Sequence, residues 1–222
     1  LTRQAEADRI ARQLADARLK LMQAQVEPHF LFNTLASVQD LAEGKAPEAA
    51  ALTHELIAFL RAGLAGLRND TTTLAREFDM AAAFLAIMKT RMGERLTFEL
   101  NLPDSLADES MPPAMLISLV ENAIKHGLEP SVDGGRLTLA ARRDGPTLTI
   151  EVSDTGLGLG ASVATTSGGV GLSNIRERLA AIYGDDAALT VRENQPRGVV
   201  AAITLTRPPM DASATPHVAE YQ

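Results

Sequence analysis

The chain has 222 residues, of which 45 % are hydrophobic, and a net charge of −7, enough for a real core and a poor match to a nucleic-acid surface. Aromatics are 4 % and Trp is absent, so the core must be built from Leu, Ala, Ile and Val. With no Cys there are no disulfides or thiolate metal sites, no apolar run reaches the ~18 residues of a membrane span, and no signal peptide is visible.

Residues 1 to 43 read as one long helix with a heptad seam through Ala7, Ile10, Leu14, Ala17, Leu21, Ala24, Leu31, Leu35, Val38 and Ala42. Pro28 falls on the seam and should kink the helix. Gly44-Lys-Ala-Pro47 is a turn, and a second helix runs from 47 to 67 with Ile57, Leu60, Leu64 and Leu67 at seam spacing. Such a hairpin is too thin to bury its apolar faces alone, so a dimeric four-helix bundle is the natural outcome.

Asn69-Asp-Thr-Thr-Thr73 is a polar boundary. Beyond it the spacing predicts a helix over Leu74 to Met92, a strand over Leu96 to Leu102 and a helix over Pro113 to His126. Alternating segments follow at Arg136 to Arg142 and Thr147 to Ser153, then a helix from Ser173 to Ile182 and strands near Leu189 to Arg192 and Val199 to Thr206. Helices interspersed with antiparallel-style strands argue for an α+β sandwich. The division predicted is 1–70 for the hairpin, 71–207 for the sandwich and 208–222 for a disordered tail rich in Pro, Ala, Ser and Thr.

Three stretches carry chemistry. Val120-Glu-Asn-Ala-Ile-Lys-His-Gly127 puts Glu, Asn and Lys on a buried-helix pattern. Asp154-Thr-Gly-Leu-Gly-Leu-Gly160 sets an Asp at a strand end before spaced glycines, and Gly168-Gly-Val-Gly-Leu-Ser-Asn174 follows. Together they offer an oxygen ligand for a metal, a cation for phosphates, an acceptor for an adenine amino group and backbone that can approach a ligand closely. Ser118, Asn122 and Lys125 are spaced to share a helix face. Alone, a Glu-Asn pair at a helix end is ordinarily a solvated surface or a cap, and a lone glycine run is an ordinary turn. Residues 160–168 read as a flexible lid, and Gly169, Gly171 and the start of the Ser173 helix would offer backbone amides to phosphates. Arg176 and Arg178 could touch phosphate, but surface ion pairs are the simpler role.

In the first helix, His29 lies one residue past the seam, toward the outside of a bundle, flanked by Phe30 and Phe32. Either this is a docking surface or the two rings pack on the second helix beside a solvated His. His54 reads as solvated or part of the bundle, and His217 lies in the tail.

The three stretches resemble the N, G1 and G2 boxes of the GHKL (Bergerat) ATP-binding fold shared by histidine kinases, gyrase-type topoisomerases, mismatch-repair ATPases and heat-shock chaperones. Gln25-Val-Glu-Pro-His-Phe-Leu-Phe-Asn-Thr-Leu35 resembles the phosphoacceptor segment of LytS/YehU-type sensor histidine kinases. Met111 to Gly127, Gly171 to Leu179 and Tyr183-Gly184 are similar to that family too, so the resemblance covers roughly residues 20 to 207.

The resemblance implies a cytoplasmic kinase core, with an upstream sensor or an inner-membrane anchor preceding the abrupt start at Leu1. It implies a homodimer in which His29 attacks the γ-phosphate of Mg²⁺-bound ATP and passes the phosphoryl group to an aspartate of a response regulator. A near-neutral imidazole suits that task. Glu121 would act as base or polarise His29, and Asn33, one turn on from His29, would orient a water. Asn122 would ligate Mg²⁺, Lys125 would pair with phosphate, and His126 and Leu172 would line the site. Asp154 would accept from the adenine amino group, with Gly156, Gly158 and Gly160 turning over the base and Gly169 and Gly171 facing the triphosphate. Where the family usually has another Asn this chain has Ser118, and Phe30 stands where many such kinases carry an acid. Two rival readings are an ATP-gated conformational ATPase hydrolysing through Glu121 and a degenerate dimeric scaffold.

Overall fold

The computed structural model describes residues 34, 37–38, 51–60, 71–159 and 167–206. His29, Asn33, Gly160, residues 161–166 of the lid expected over 160–168, and the tail therefore lie outside the described residues, while 167 and 168 open a helix instead.

Residues 51–60 are helical, as the second hairpin helix requires. Within the chain Leu52, Leu56 and Phe59 are buried, while of the seam positions Ile57 is 43 % exposed and Leu60 is half-buried. Spacings of four and three put the buried residues on one helix face. That face meets the helix α1 (Leu74–Met92), where the Phe59 and Phe84 rings sit 6.0 Å apart. The helix is thus already partnered within one chain, through a stripe adjacent to the one that seam spacing picks out. Val38 packs on the same core and Thr34 is buried.

α1 begins where expected because Thr73 caps it, its side chain accepting from the Arg76 amide, and it stops at Gly93, whose φ of 60° suits glycine. Eleven of its residues are buried, more than one amphipathic stripe allows, because it lies between the hairpin helix and the sheet layer. Thr72–Thr73 (β1) pairs antiparallel with Ser110–Met111 (β3), a small ribbon that the sequence pattern did not announce.

The main sheet holds Leu96–Asn101 (β2), Gly135–Asp144 (β4), Thr147–Asp154 (β5), Ala187–Glu193 (β6) and Val199–Thr206 (β7) in the order β2-β4-β5-β7-β6. All pairings are antiparallel except β2 with β4, which is parallel, so the sheet is mixed rather than purely antiparallel. The connection from β2 to β4 must then cross over, and it carries the helix α2 (Met115–Asn122). The helix α3 (Ser167–Tyr183) links β5 to β6. Period-two alternation turns Leu148, Ile150, Val152 and Asp154 to the same buried face of β5. Register extends that face sideways, Val152 lying opposite Leu139 on one side and Ala201 on the other, with Val191 next beyond Ala201. No helix among the described residues is long and apolar enough to cross a membrane.

Candidate functional site

α2 is apolar where it meets the core, through Met115, Leu116, Ile117, Leu119 and Val120, each at most 2 % exposed. It does not end at Asn122 but continues as a π-helical turn, Ala123–Leu128, in which the Glu129 amide reaches back to the Ile124 carbonyl. Leu119, Asn122, Ala123, His126 and Gly127 form one wall of a cavity of about 170 Å³. Val152 and Asp154 of β5 face them, Val191, Val199 and Ala201 come from β6 and β7, and Gly158, Leu159 and Leu172 close the remaining side.

The lining is aliphatic apart from Asp154, Asn122 and His126. Asp154 is 2 % exposed. Burial pushes its carboxyl above the ordinary aspartate value, and the Gly156 and Val199 amides pull it part of the way back. Gly156 N–H donates to Oδ1 at 2.8 Å, and the Asn194 side-chain amide donates to the Asp154 main-chain carbonyl at 2.7 Å. The carboxylate is therefore fixed at both its head and its backbone. A flat apolar ligand with an N–H aimed at a buried carboxylate fits this cavity, which is the chemistry of an adenine ring.

Close backbone contact explains the glycines. Leu157 N–H donates to the Gly127 carbonyl at 3.1 Å, and a Cβ on Gly156 would run into the Gly127 backbone. A Cβ on Gly127 would stand 2.7 Å from Asp154 Oδ1. A Cβ on Gly171 would lie 3.3 Å from the Asn122 side-chain nitrogen, which puts α3 hard against that amide.

Of the residues predicted from sequence, Asn122, His126, Asp154, Gly158 and Leu172 meet around the cavity, with Gly156 and Gly171 directly behind. Glu121 is half-buried and Lys125 exposed; neither lines the cavity, since residues 119, 122, 123 and 126 face it. The Ser118 hydroxyl donates to the Ala114 carbonyl at 3.1 Å, one turn back on its own helix. α3 starts at Ser167 rather than Ser173, so Gly169 and Gly171 are helical. Glycine costs about 1 kcal/mol in a helix interior, which hides such a start from a propensity reading; in a first turn, where amides are unpaired anyway, it is easily borne. Arg178 donates to the Pro113 carbonyl at 2.7 Å and has no ion pair among the described residues, while Arg176 is exposed.

Sequence reading missed Glu77 and Asn194. Glu77 is a buried carboxylate on α1 that accepts from the Ala114 amide at 2.8 Å and the Leu116 amide at 3.1 Å. Burial pushes it above the ordinary glutamate value, against the pull of those amides and of the Arg178 charge. Its signal was present, since position 77 falls on the apolar stripe through Leu74, Phe78 and Ala81. Among the described residues no three His, Asp or Glu side chains cluster to hold a metal. The Asn122 side-chain amide at the cavity wall is an oxygen donor that a hard cation carrying phosphates and water could use.

A family model described as "Histidine kinase" matches residues 17–96, and one described as "Histidine kinase-, DNA gyrase B-, and HSP90-like ATPase" matches residues 107–211. The sensor histidine kinase BtsS of Escherichia coli strain K12 is 36 % identical over 178 residues, covering 80 % of this chain and 31 % of that protein. The sensor protein LytS of Staphylococcus haemolyticus strain JCSC1435 is 34 % identical over 194 residues, covering 83 % of this chain and 33 % of that protein. This chain thus spans about a third of the length of these relatives. Among solved structures, the histidine kinase domain of the Erythrobacter litoralis EL346 blue-light activated histidine kinase superposes with a TM-score of 0.50. It shares 16 % identity and covers 86 % of this chain and 92 % of that one, a likeness of fold.

Proposed function

The chain belongs to the LytS-type sensor histidine kinases, and from that premise we propose that it binds Mg²⁺-ATP in the Asp154 cavity and phosphorylates its own His29. The observation that carries the nucleotide half is the buried Asp154 carboxylate on the floor of an aliphatic cavity. The adenine amino group donates to that carboxylate, and Val152, Val191, Val199 and Ala201 exclude water from the ring faces. Asn122 would hold the metal, which would supply positive charge to offset the negative charge of the phosphates. Lys125, exposed beyond the base cavity, reaches toward the phosphates, with Gly169 in the first turn of α3 supplying backbone and Gly171 letting that helix lie close to Asn122.

His29 attacks the γ-phosphorus through a neutral ring nitrogen. The P–O bond to the β-phosphate breaks, ADP leaves with that electron pair, and the imidazole proton passes to Glu121 or to water. Asn33 orients a water that attacks the phosphohistidine, breaking its P–N bond and releasing inorganic phosphate. The hairpin 1–70 serves as phosphoacceptor and homodimer unit, 71–207 as the ATP unit and 208–222 as a tail. An aspartate of a response regulator is the onward acceptor. A sensing or membrane-anchoring part lies in the remaining length that the relatives possess, with this core on the cytoplasmic side.

The test is incubation with γ-labelled ATP and Mg²⁺, comparing wild type with His29→Gln. Acid-labile, alkali-stable label on the protein that vanishes in the variant is the expected result. Phosphate release without protein label, lost in Glu121→Ala, would overturn it in favour of an ATPase.

A further inference from the structure

Residues 112–116 form a corner at which three helices meet. Pro112 and Pro113 bring no amide hydrogen, and Ala114 takes a left-handed φ of 62° at the N-cap of α2 without any side-chain cap of its own. The first amides of a helix lack intrahelical partners. Here they are satisfied from another element: Glu77 of α1 takes Ala114 N–H on Oε1 and Leu116 N–H on Oε2. Arg178 of α3 donates to the Pro113 carbonyl at 2.7 Å, and its charge also favours the Glu77 carboxylate. One corner therefore sets α2 against both α1 and α3.

The other end of the same element is held by α1 and the turn that follows it. Arg91 pairs with the Glu129 carboxylate at 3.3 Å, and Arg95 donates to the Ser131 carbonyl at 3.1 Å. α1 thus runs parallel to α2 and its π-helical extension, tied to it near both ends. Asn122 lies six residues beyond Leu116, roughly 9 Å along the axis, so a tilt at the corner is carried straight to the cavity wall. Arg178 lies two turns beyond Gly171, so the same corner sets how closely α3 approaches Asn122.

We propose that Glu77 is a positioning residue for the nucleotide site, holding the Asn122 and His126 wall in the register that receives ATP, with Arg178 as its partner on α3. This role rests on the ATP reading above and adds a residue that never touches the ligand. A carboxylate is a poor choice for stability alone, since burying a charge costs more than a well-packed apolar side chain. Its two oxygens instead fix the Ala114 and Leu116 amides, two residues apart at the start of α2, in direction. The outer face of α1 carries Phe84 against Phe59, so α1 is also the element through which the hairpin reaches the nucleotide wall.

The experiment measures ATP affinity and steady-state autophosphorylation in Glu77→Gln, Arg178→Met and the double variant, with urea unfolding of each. A Gln can accept only one of the two amides. Glu77→Gln is expected to raise both Kd and KM for ATP about tenfold (~1.4 kcal/mol) while kcat changes less than twofold and unfolding stays cooperative. The double variant is expected to match the worse single one, because both act on one corner. Unchanged ATP affinity in a folded Glu77→Gln, or effects that multiply in the double variant, would overturn the proposal. If Glu77→Gln does not fold, the half-buried Arg178→Met decides by the same affinity criterion. A wild type that binds no ATP overturns the nucleotide reading itself, and this role with it.

Discussion

Gly127→Ala separates recognition of the base from stability of the fold. The new methyl group would sit 2.7 Å from Asp154 Oδ1, 3.0 Å from Cγ and 3.2 Å from Oδ2. The carboxylate must swing by several tenths of an ångström, yet the Gly156 amide holds it at 2.8 Å and Asn194 holds its carbonyl at 2.7 Å. Overpacking of this kind costs about 1–3 kcal/mol, and replacing a helical glycine by alanine returns ~1 kcal/mol. The net loss of about 0–2 kcal/mol leaves the protein folded. The hydrogen bond from adenine to the displaced carboxylate is worth about 1.5–3 kcal/mol, so Kd for ATP should rise roughly 10- to 150-fold. Calorimetric titration with Mg²⁺-ATP, alongside a urea unfolding curve, measures both quantities on one preparation. A cooperative unfolding curve together with wild-type affinity would show that Asp154 does not receive the base.

Phe59→Ala removes a ring that is 1 % exposed and packs on Phe84, and should cost about 3–5 kcal/mol in urea unfolding. A cost under about 1 kcal/mol would mean that the hairpin helix does not rest on α1 in solution. Glu77 gives a pH signature. Because burial raises its folded value above the ordinary 4.5, the folded protein keeps a proton that the unfolded chain has released. Its contribution to stability should therefore fall as pH rises from 4.5 through the folded value, and Glu77→Gln should lose that slope. Unfolding free energies of the two proteins across this range give the difference directly; a gap that moves the other way with pH contradicts the burial argument.

Where local chemistry decides, sequence and structure agree closely. Leu74 to Met92 is bounded by a Thr that caps and a Gly that terminates, and Val199 to Thr206 is rich in β-branched residues; both elements form over those residues. Where a distant partner decides, the pattern is silent. Thr72 and Thr73 are a strand only because Ser110 and Met111 lie beside them, and nothing in Leu96 to Asn101 announces a parallel neighbour. The cavity divides the same way. Asp154, Asn122 and His126 sit in motifs that can be read directly, whereas Val191, Val199 and Ala201 become its walls only through strand pairing. On the hairpin helix, seam spacing marks Ile57 and Leu60 but not the adjacent stripe Leu52, Leu56 and Phe59, because spacing does not say which face a neighbour within the chain covers.

The cavity draws its walls from residues as far apart in the chain as Leu119 and Ala201, on two helices and three strands. No short segment of the unfolded polypeptide can imitate it, so a nucleotide meets its site only in the finished molecule. If ATP binds there as proposed, mass action makes the nucleotide pool a folding cofactor in effect: at a hundredfold excess over Kd, ligand adds about 2.7 kcal/mol to the folded state. Nucleotide supply would in this way govern how long the protein lasts as well as how fast it works.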